Sequence, residues 1–236
     1  MKAGLPIFDH CEDMSLRGNG CMNEDENAKR LGLPGICNST EDTIAARDSL
    51  LAIETGAKLH LCHCSTRGVA IMMKMLKEEG IQNVTAEVCP HHFILTSDDI
   101  ERDDPNYKMN PPLRTEADRQ KIIEGLIDGT IDLIATDHAP HSAEEKSKPV
   151  TEAPSGIIGL ETSLALGITS LVKPGHLSML ELLEKMTINP ARLYHMPYGT
   201  ISEVLLQILS SLILTKNGYH ANMHQSHQTH LLPAWN

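Results

Sequence analysis

Aromatic side chains are scarce: one Trp, four Tyr and two Phe make up 3% of 236 residues. A core must therefore rest on Leu, Ile, Val, Met and Ala. Basic residues are also outnumbered, 20 Lys and Arg against 31 Asp and Glu, for a formal net charge of −11. A general nucleic-acid binder needs a basic face, so that class is set aside. No apolar run reaches the roughly 20 residues of a membrane helix, and no signal peptide is expected at the start. No Gly-rich dinucleotide fingerprint is found. The six Cys, at 11, 21, 37, 62, 64 and 89, lack the spacing of a disulfide framework. Reduced thiols and a cytoplasmic location are expected.

What is there is a regular alternation of short apolar runs with helical patterns. Strands are expected over 4–8, 58–63, 84–88 and 131–135. Ser39-Thr40-Glu41-Asp42 reads as a capped helix start with acids in the first turn, and Gly56 as its stop. Thr66 opens the next helix, whose Val69, Met72, Met73 and Leu76 stripe reads as core. Helices are expected over 116–128, 159–172 and 177–187, with one more short helix at Pro190. Residues 14–39 read as loop, with a short helix near 24–31. Such alternation is the signature of parallel βα units. A closed barrel has eight strands and usually about 250 residues; four strands make half of one. An open doubly wound sheet is the alternative from pattern alone.

The chemistry-bearing residues fall at strand ends: His10, His63, His91 with His92, and Asp137. Strand C-termini are where a βα barrel gathers its active site. A lone His is more often structural, and an Asp after a strand is as often a turn cap, though His138, Pro140, His141 and Lys146 beside Asp137 weigh against a mere cap. Convergence on one rim improves the case, and two imidazoles with a carboxylate suit zinc. An ion there lowers the pKa of water, and Asp137 can take and return its proton. Cys62 and Cys64 flank His63, and strand alternation sends both thiols to the other face, where they read as packing. The histidines after 204 read as solvated.

The stretch Ala135-Thr136-Asp137-His138-Ala139-Pro140-His141, followed by Lys146, resembles a signature of dihydroorotases, the cyclic amidohydrolases of pyrimidine biosynthesis. Asp9-His10-Cys11-Glu12-Asp13, His63-Cys64-Ser65-Thr66, Asn110-Pro111-Pro112-Leu113-Arg114 and Pro154-Ser155-Gly156 resemble further family segments in the same order. The resemblance implies His10 and His63 as zinc ligands, and Asp137 as ligand and general base. It implies Asn110, His141, Ser155 and Gly156 as substrate-binding residues. The implied substrates are dihydroorotate and N-carbamoyl-aspartate. The implied fold is an α/β partial TIM (β/α)8 barrel of the metal-dependent hydrolase type, holding roughly the last four βα units over 1–203.

The same resemblance shows what is missing. No His-x-His pair followed by Arg occurs, nor the later Lys or Asp that bridges two metals in the family. Residues 204–236 read as a divergent tail, such as a reading-frame change would produce. Weak zinc binding and little activity of this polypeptide alone are expected. Three rivals stay open. One is an impaired half-barrel acting as scaffold or partner, self-associating or docking through open sheet edges. Another is a hydantoinase or dihydropyrimidinase, against which the Ala139-Pro140-His141 signature weighs. The third is a fragment with no stable fold.

Overall fold

A computed structural model describes residues 5–200. The expected tail after 203 lies outside the described residues. Four parallel strands form the main sheet: β1 (Ile7–Asp9), β4 (Leu59–Leu61), β5 (Val84–Val88) and β6 (Leu133–Ile134), adjacent in that order. Each is followed by helical structure, so the chain is a partial barrel of βα units.

Side-chain alternation sorts the strands into two faces. Leu59 and Leu61 of β4, with Val84 and Ala86 of β5, point outward. They pack with Ala45 and Ala52 of α3 (Ser39–Thr55) and with Val69 and Met73 of α4 (Arg67–Glu78). A second cluster joins Val88 and Ile134 to Ile122, Ile123 and Leu126 of α6 (Glu116–Ile127) and Leu182 of α8 (Met179–Met186). The opposite face carries His60, whose ring nitrogens meet Thr85 Oγ1 at 2.8 Å and Glu87 Oε2 at 3.0 Å. Phe8 lies on the same face, between His60 and Tyr194.

β1 differs from its neighbours. Ile7 is 55% exposed, because no strand pairs its outer edge among the described residues. β6 ends the sheet at the other side, so both edges are open among the described residues.

Helix ends follow the sequence in most places. Thr66 caps α4 by accepting from Val69 N, and Ser178 forms a capping box with Glu181 on α8. Gly56 closes α3 in the left-handed conformation, φ 67°. The start of α3 departs from expectation. Its N-cap is Asn38, which makes no capping bond and donates instead to Asp118 Oδ1. Asp118 also accepts from Arg67 N and completes the capping box of Thr115, tying the starts of α3, α4 and α6 together.

Two further stretches differ. Residues 14–39 are not only loop: β2 (Met22–Asn23) and β3 (Gly35–Ile36) form a parallel pair around α2 (Glu26–Leu31), after the short α1 (Met14–Arg17). The helix expected over 159–172 begins only at Ser163, as α7 (Ser163–Gly167), and widens to a π-helical turn over Ile168–Val172. Gly159 and Leu160 are held out of it because their amides donate to His138 Nδ1. The remaining helices are α5 (Pro90–Ile94) and α9 (Ile188–Leu193).

Candidate active site

All four strands deliver a candidate residue just past their C-terminal ends. His10 follows β1, His63 follows β4, His91 and His92 follow β5, and Asp137 follows β6. His63 and Asp137 both have left-handed backbones, φ 35° and φ 46°. That conformation is uncommon for residues other than glycine and concentrates at functional sites. Here it turns the chain sharply off the strand end.

The turn at His63 also corrects the expectation for its flanking thiols. Simple alternation breaks at φ 35°, so Cys62 and Cys64 do not share a face. Cys64 is buried in the outer core cluster. Cys62 stays on the inner side, where burial and then the charges of Glu87 and Asp9 push its thiol up to about 12.

His10 Nδ1 and His63 Nε2 lie 2.8 Å apart. Burial, and secondarily the charge of His10, hold His63 below the ordinary imidazole range, while Asp137 pulls the other way. The other ring nitrogen of His63 is buried without a partner. Glu12 lies behind His10: its carboxylate is 3.5 Å from His10 Nε2, accepts from Asn110 Nδ2 at 2.9 Å, and pairs with Arg17 at 2.9 Å. Asn110 Nδ2 is also 3.3 Å from His10 Nε2. Asn110 therefore sits beside His10, the partner of His63.

The signature after β6 folds against the 155–160 segment. His138 bridges to Ile157, and Ala139 N donates to Ile157 O at 2.9 Å. His141 Nε2 donates to Ser155 O at 2.9 Å. Gly156 has φ 130°, and a Cβ there would stand 2.6 Å from Ala139 Cβ. The residues expected to meet substrate, His141, Ser155 and Gly156, are thus neighbours. Two buried lysines hold this loop down. Lys146 Nζ donates to the carbonyls of Pro105, Lys108 and Pro154, and Lys108 Nζ to that of Ala153.

Several organising residues escaped the sequence reading. Glu41, read there as a first-turn acid, is a buried anchor that accepts from Ser65 N at 2.8 Å and from the Ser65 hydroxyl. Arg114 pairs with it at 3.5 Å and donates to Ser65 Oγ, Asn23 Oδ1 and Ile36 O. Glu87 accepts from His63 N at 3.3 Å and contacts His60. The Thr85-Ala86-Glu87 alternation signals an inward Glu in a strand; nothing local signals Glu41.

Donor chemistry at His10 and His63 suits a zinc-class ion: two imidazoles come together at the strand ends, and burial disfavours the protonated form of His63. Asp137 is near enough to bias His63 electrically but does not join the pair in a tight trio. Among the described residues, the trio whose ligand atoms all lie within 4.8 Å of one another is Cys89, His91 and His92. A cleft of about 530 Å³ opens elsewhere, between Lys58, Asn83, Asp132 and Arg192, and no candidate residue lines it.

Comparison with known proteins gives a consistent picture. Residues 2–69 match a family model described as dihydro-orotase-like. A dihydroorotase of Clostridioides difficile is 55% identical over 200 residues, covering 84% of this chain and 47% of that protein. One from Staphylococcus epidermidis is 49% identical over 201 residues, with 85% and 47% covered. Among solved structures, a D-hydantoinase (dihydropyrimidinase) from Thermus sp. superposes with a TM-score of 0.70 at 24% identity, over 82% of this chain and 44% of that one. An L-hydantoinase (dihydropyrimidinase) from Arthrobacter aurescens gives 0.68 at 32% identity, over 81% and 44%. The chain spans about half the length of the curated relatives it matches. With its parallel βα units and strand-end histidines, it belongs to the dihydroorotase-like family of cyclic amidohydrolases.

Proposed function

We propose that this chain carries half of a dihydroorotase site, acting on dihydroorotate and N-carbamoyl-aspartate in pyrimidine biosynthesis. The observation that carries the reading is the meeting of His10, His63 and Asn110 at the strand ends, in a chain about 50% identical to dihydroorotases. The likeness to hydantoinases is lower in identity and supports the fold and the wider cyclic-amide chemistry.

His10 and His63 would hold zinc, which when bound polarises water and the scissile carbonyl. The chain's own residues supply the rest. Asp137, turned off the end of β6, takes the proton of the attacking water at a carboxylate oxygen. It then returns that proton to the departing ring nitrogen. Asn110 and His141, with the backbone of Ser155 and Gly156, hold the substrate. Lys146 and Lys108 keep that loop in place. A cytoplasmic setting fits six unpaired cysteines.

One observation favours a second reading, an impaired homologue that acts as scaffold or partner. Among the described residues, Asp137 closes no tight trio with His10 and His63, and β1 and β6 leave two open edges.

The full chain should show little or no turnover of dihydroorotate alone. Mixed with the segment of the Clostridioides difficile dihydroorotase that it does not match, it should form a complex and reach an ordinary rate of about 1–10³ per second. Asp137→Asn in the same mixture should abolish that rate. A zinc-loaded, co-eluting mixture with no turnover would leave the scaffold reading standing instead.

A further inference from the structure

We propose that Cys89, His91 and His92 form a second, sulfur-containing site for a zinc-class ion, separate in its ligands from His10 and His63. The three residues are contiguous around Pro90, where β5 turns into α5. Their ligand atoms all lie within 4.8 Å of one another, and all three residues are buried.

The second observation is a pair of unused donors. His91 Nε2 and His92 Nδ1 are buried with no hydrogen-bond partner. Buried polar atoms are nearly always partnered, so each such atom asks for an explanation. For His92 the tautomer is fixed by its other nitrogen. Nε2 lies 3.0 Å from Pro111 O, which can only accept, so Nε2 carries the hydrogen and Nδ1 keeps its lone pair. A ring held by a carbonyl on one side and free on the other is the arrangement that metal-binding histidines show. The two rings lie edge to face, centroids 4.2 Å apart.

Chemistry selects the ion. One thiolate and two imidazoles suit zinc and its cobalt analogue, whereas magnesium and calcium require oxygen. Binding forms a metal–sulfur bond, breaks the Cys89 S–H bond and releases its proton to water. The ion's two positive charges then meet one thiolate and the nearby carboxylates of Asp137 and Glu87, whose fields reach Cys89. The site would pin the end of β5 through His92 to the Pro111 segment, close to Asn110. It does not rest on the proposed activity, so a failed dihydroorotate assay leaves it standing.

The test uses the full chain, stripped with chelator and reloaded with cobalt(II) or zinc. A thiolate-to-cobalt charge-transfer band is expected, and zinc X-ray absorption should show sulfur with nitrogen in the first shell. His10, His63 and Asp137 contain no sulfur, so this signal cannot come from them. The band should persist in His10→Ala, in His63→Ala and in Cys62→Ser, and vanish in Cys89→Ser. Circular dichroism checks that Cys89→Ser is folded. If it is not, sulfur ligation in the Cys62→Ser chain, with its loss in His92→Phe, decides the matter. A first shell without sulfur, no bound ion, or a band that follows Cys62 rather than Cys89 would overturn the site.

Discussion

His10 Nδ1 and His63 Nε2 face each other at 2.8 Å across the ends of β1 and β4. At that distance one nitrogen donates and the other accepts, so both rings cannot be imidazolium. Burial, then the charge of His10, depresses His63. In chelator-treated protein, ring-proton NMR should show His63 protonating below pH 6.5, and His10→Gln should raise that pKa. The unfolded imidazole binds its proton first, so the stability from this burial is present above pH 6.5 and lost as pH falls below it. A His63 titrating at or above 6.5, or unmoved by His10→Gln, contradicts this.

Arg114 and Glu41 form a buried pair, 3% and 4% exposed at the side chain, that also fixes Ser65 two residues after His63. Removing one partner of a buried pair leaves a bare charge, at a cost of about 3–5 kcal/mol. Arg114→Met should lower the unfolding free energy by about that much in urea titrations. Arg114→Lys should recover only part, because an ammonium cannot reproduce the fork that reaches Ser65, Asn23 and Ile36 at once. A loss within experimental error for Arg114→Met would show the pair to be dispensable.

These two pairs mark the limit of what the sequence conveys. Four strands, their parallel order, the helix start at Thr66 and the stop at Gly56 are legible, because period and capping chemistry act over a few residues. The strand-end positions of His10, His63 and Asp137 are legible for the same reason. Glu41 and Arg114 are not. They lie 73 positions apart, and their pairing exists only once α3 and the 110–114 segment pack on the end of β4. The left-handed turn at His63 is equally silent, since no glycine announces it. That turn separates Cys62 from Cys64 and defeats simple alternation. The late start of α7 is a tertiary outcome too, following from His138 capturing the amides of Gly159 and Leu160.

Gly156 stands at φ 130°, where a side chain would meet Ala139 Cβ at 2.6 Å and His141 Nε2 at 3.1 Å. Backbone strain of this kind costs about 1–3 kcal/mol. Gly156→Ala should destabilise the chain by roughly that amount and displace the loop that presents Ser155. Limited proteolysis within 142–155 should accelerate. Gly18→Ala is the control: its φ is 52°, yet a Cβ there meets nothing within 4 Å, so it should carry strain without moving the loop. Equal proteolysis in the two variants would refute the close approach at Ala139.

Lys146 gives the pH dependence of the same loop. Its Nζ lies within hydrogen-bonding reach of three carbonyls, those of Pro105, Lys108 and Pro154. An ammonium has three protons for them. Burial, and then the charge of Lys108, lower its pKa from 10.5 to about 8. Between those two values the folded chain has already lost a proton that the unfolded chain still holds. Stability from this group therefore rises with pH across the window from about 8 to 10.5. At pH 7, Lys146→Met strands carbonyls without a donor and should cost at least about 1 kcal/mol. From pH 8 upward the wild type should gain further on the variant, measured as the difference between their urea midpoints. A difference that shrinks over that range would mean that the ammonium, not the amine, is the form the folded loop prefers.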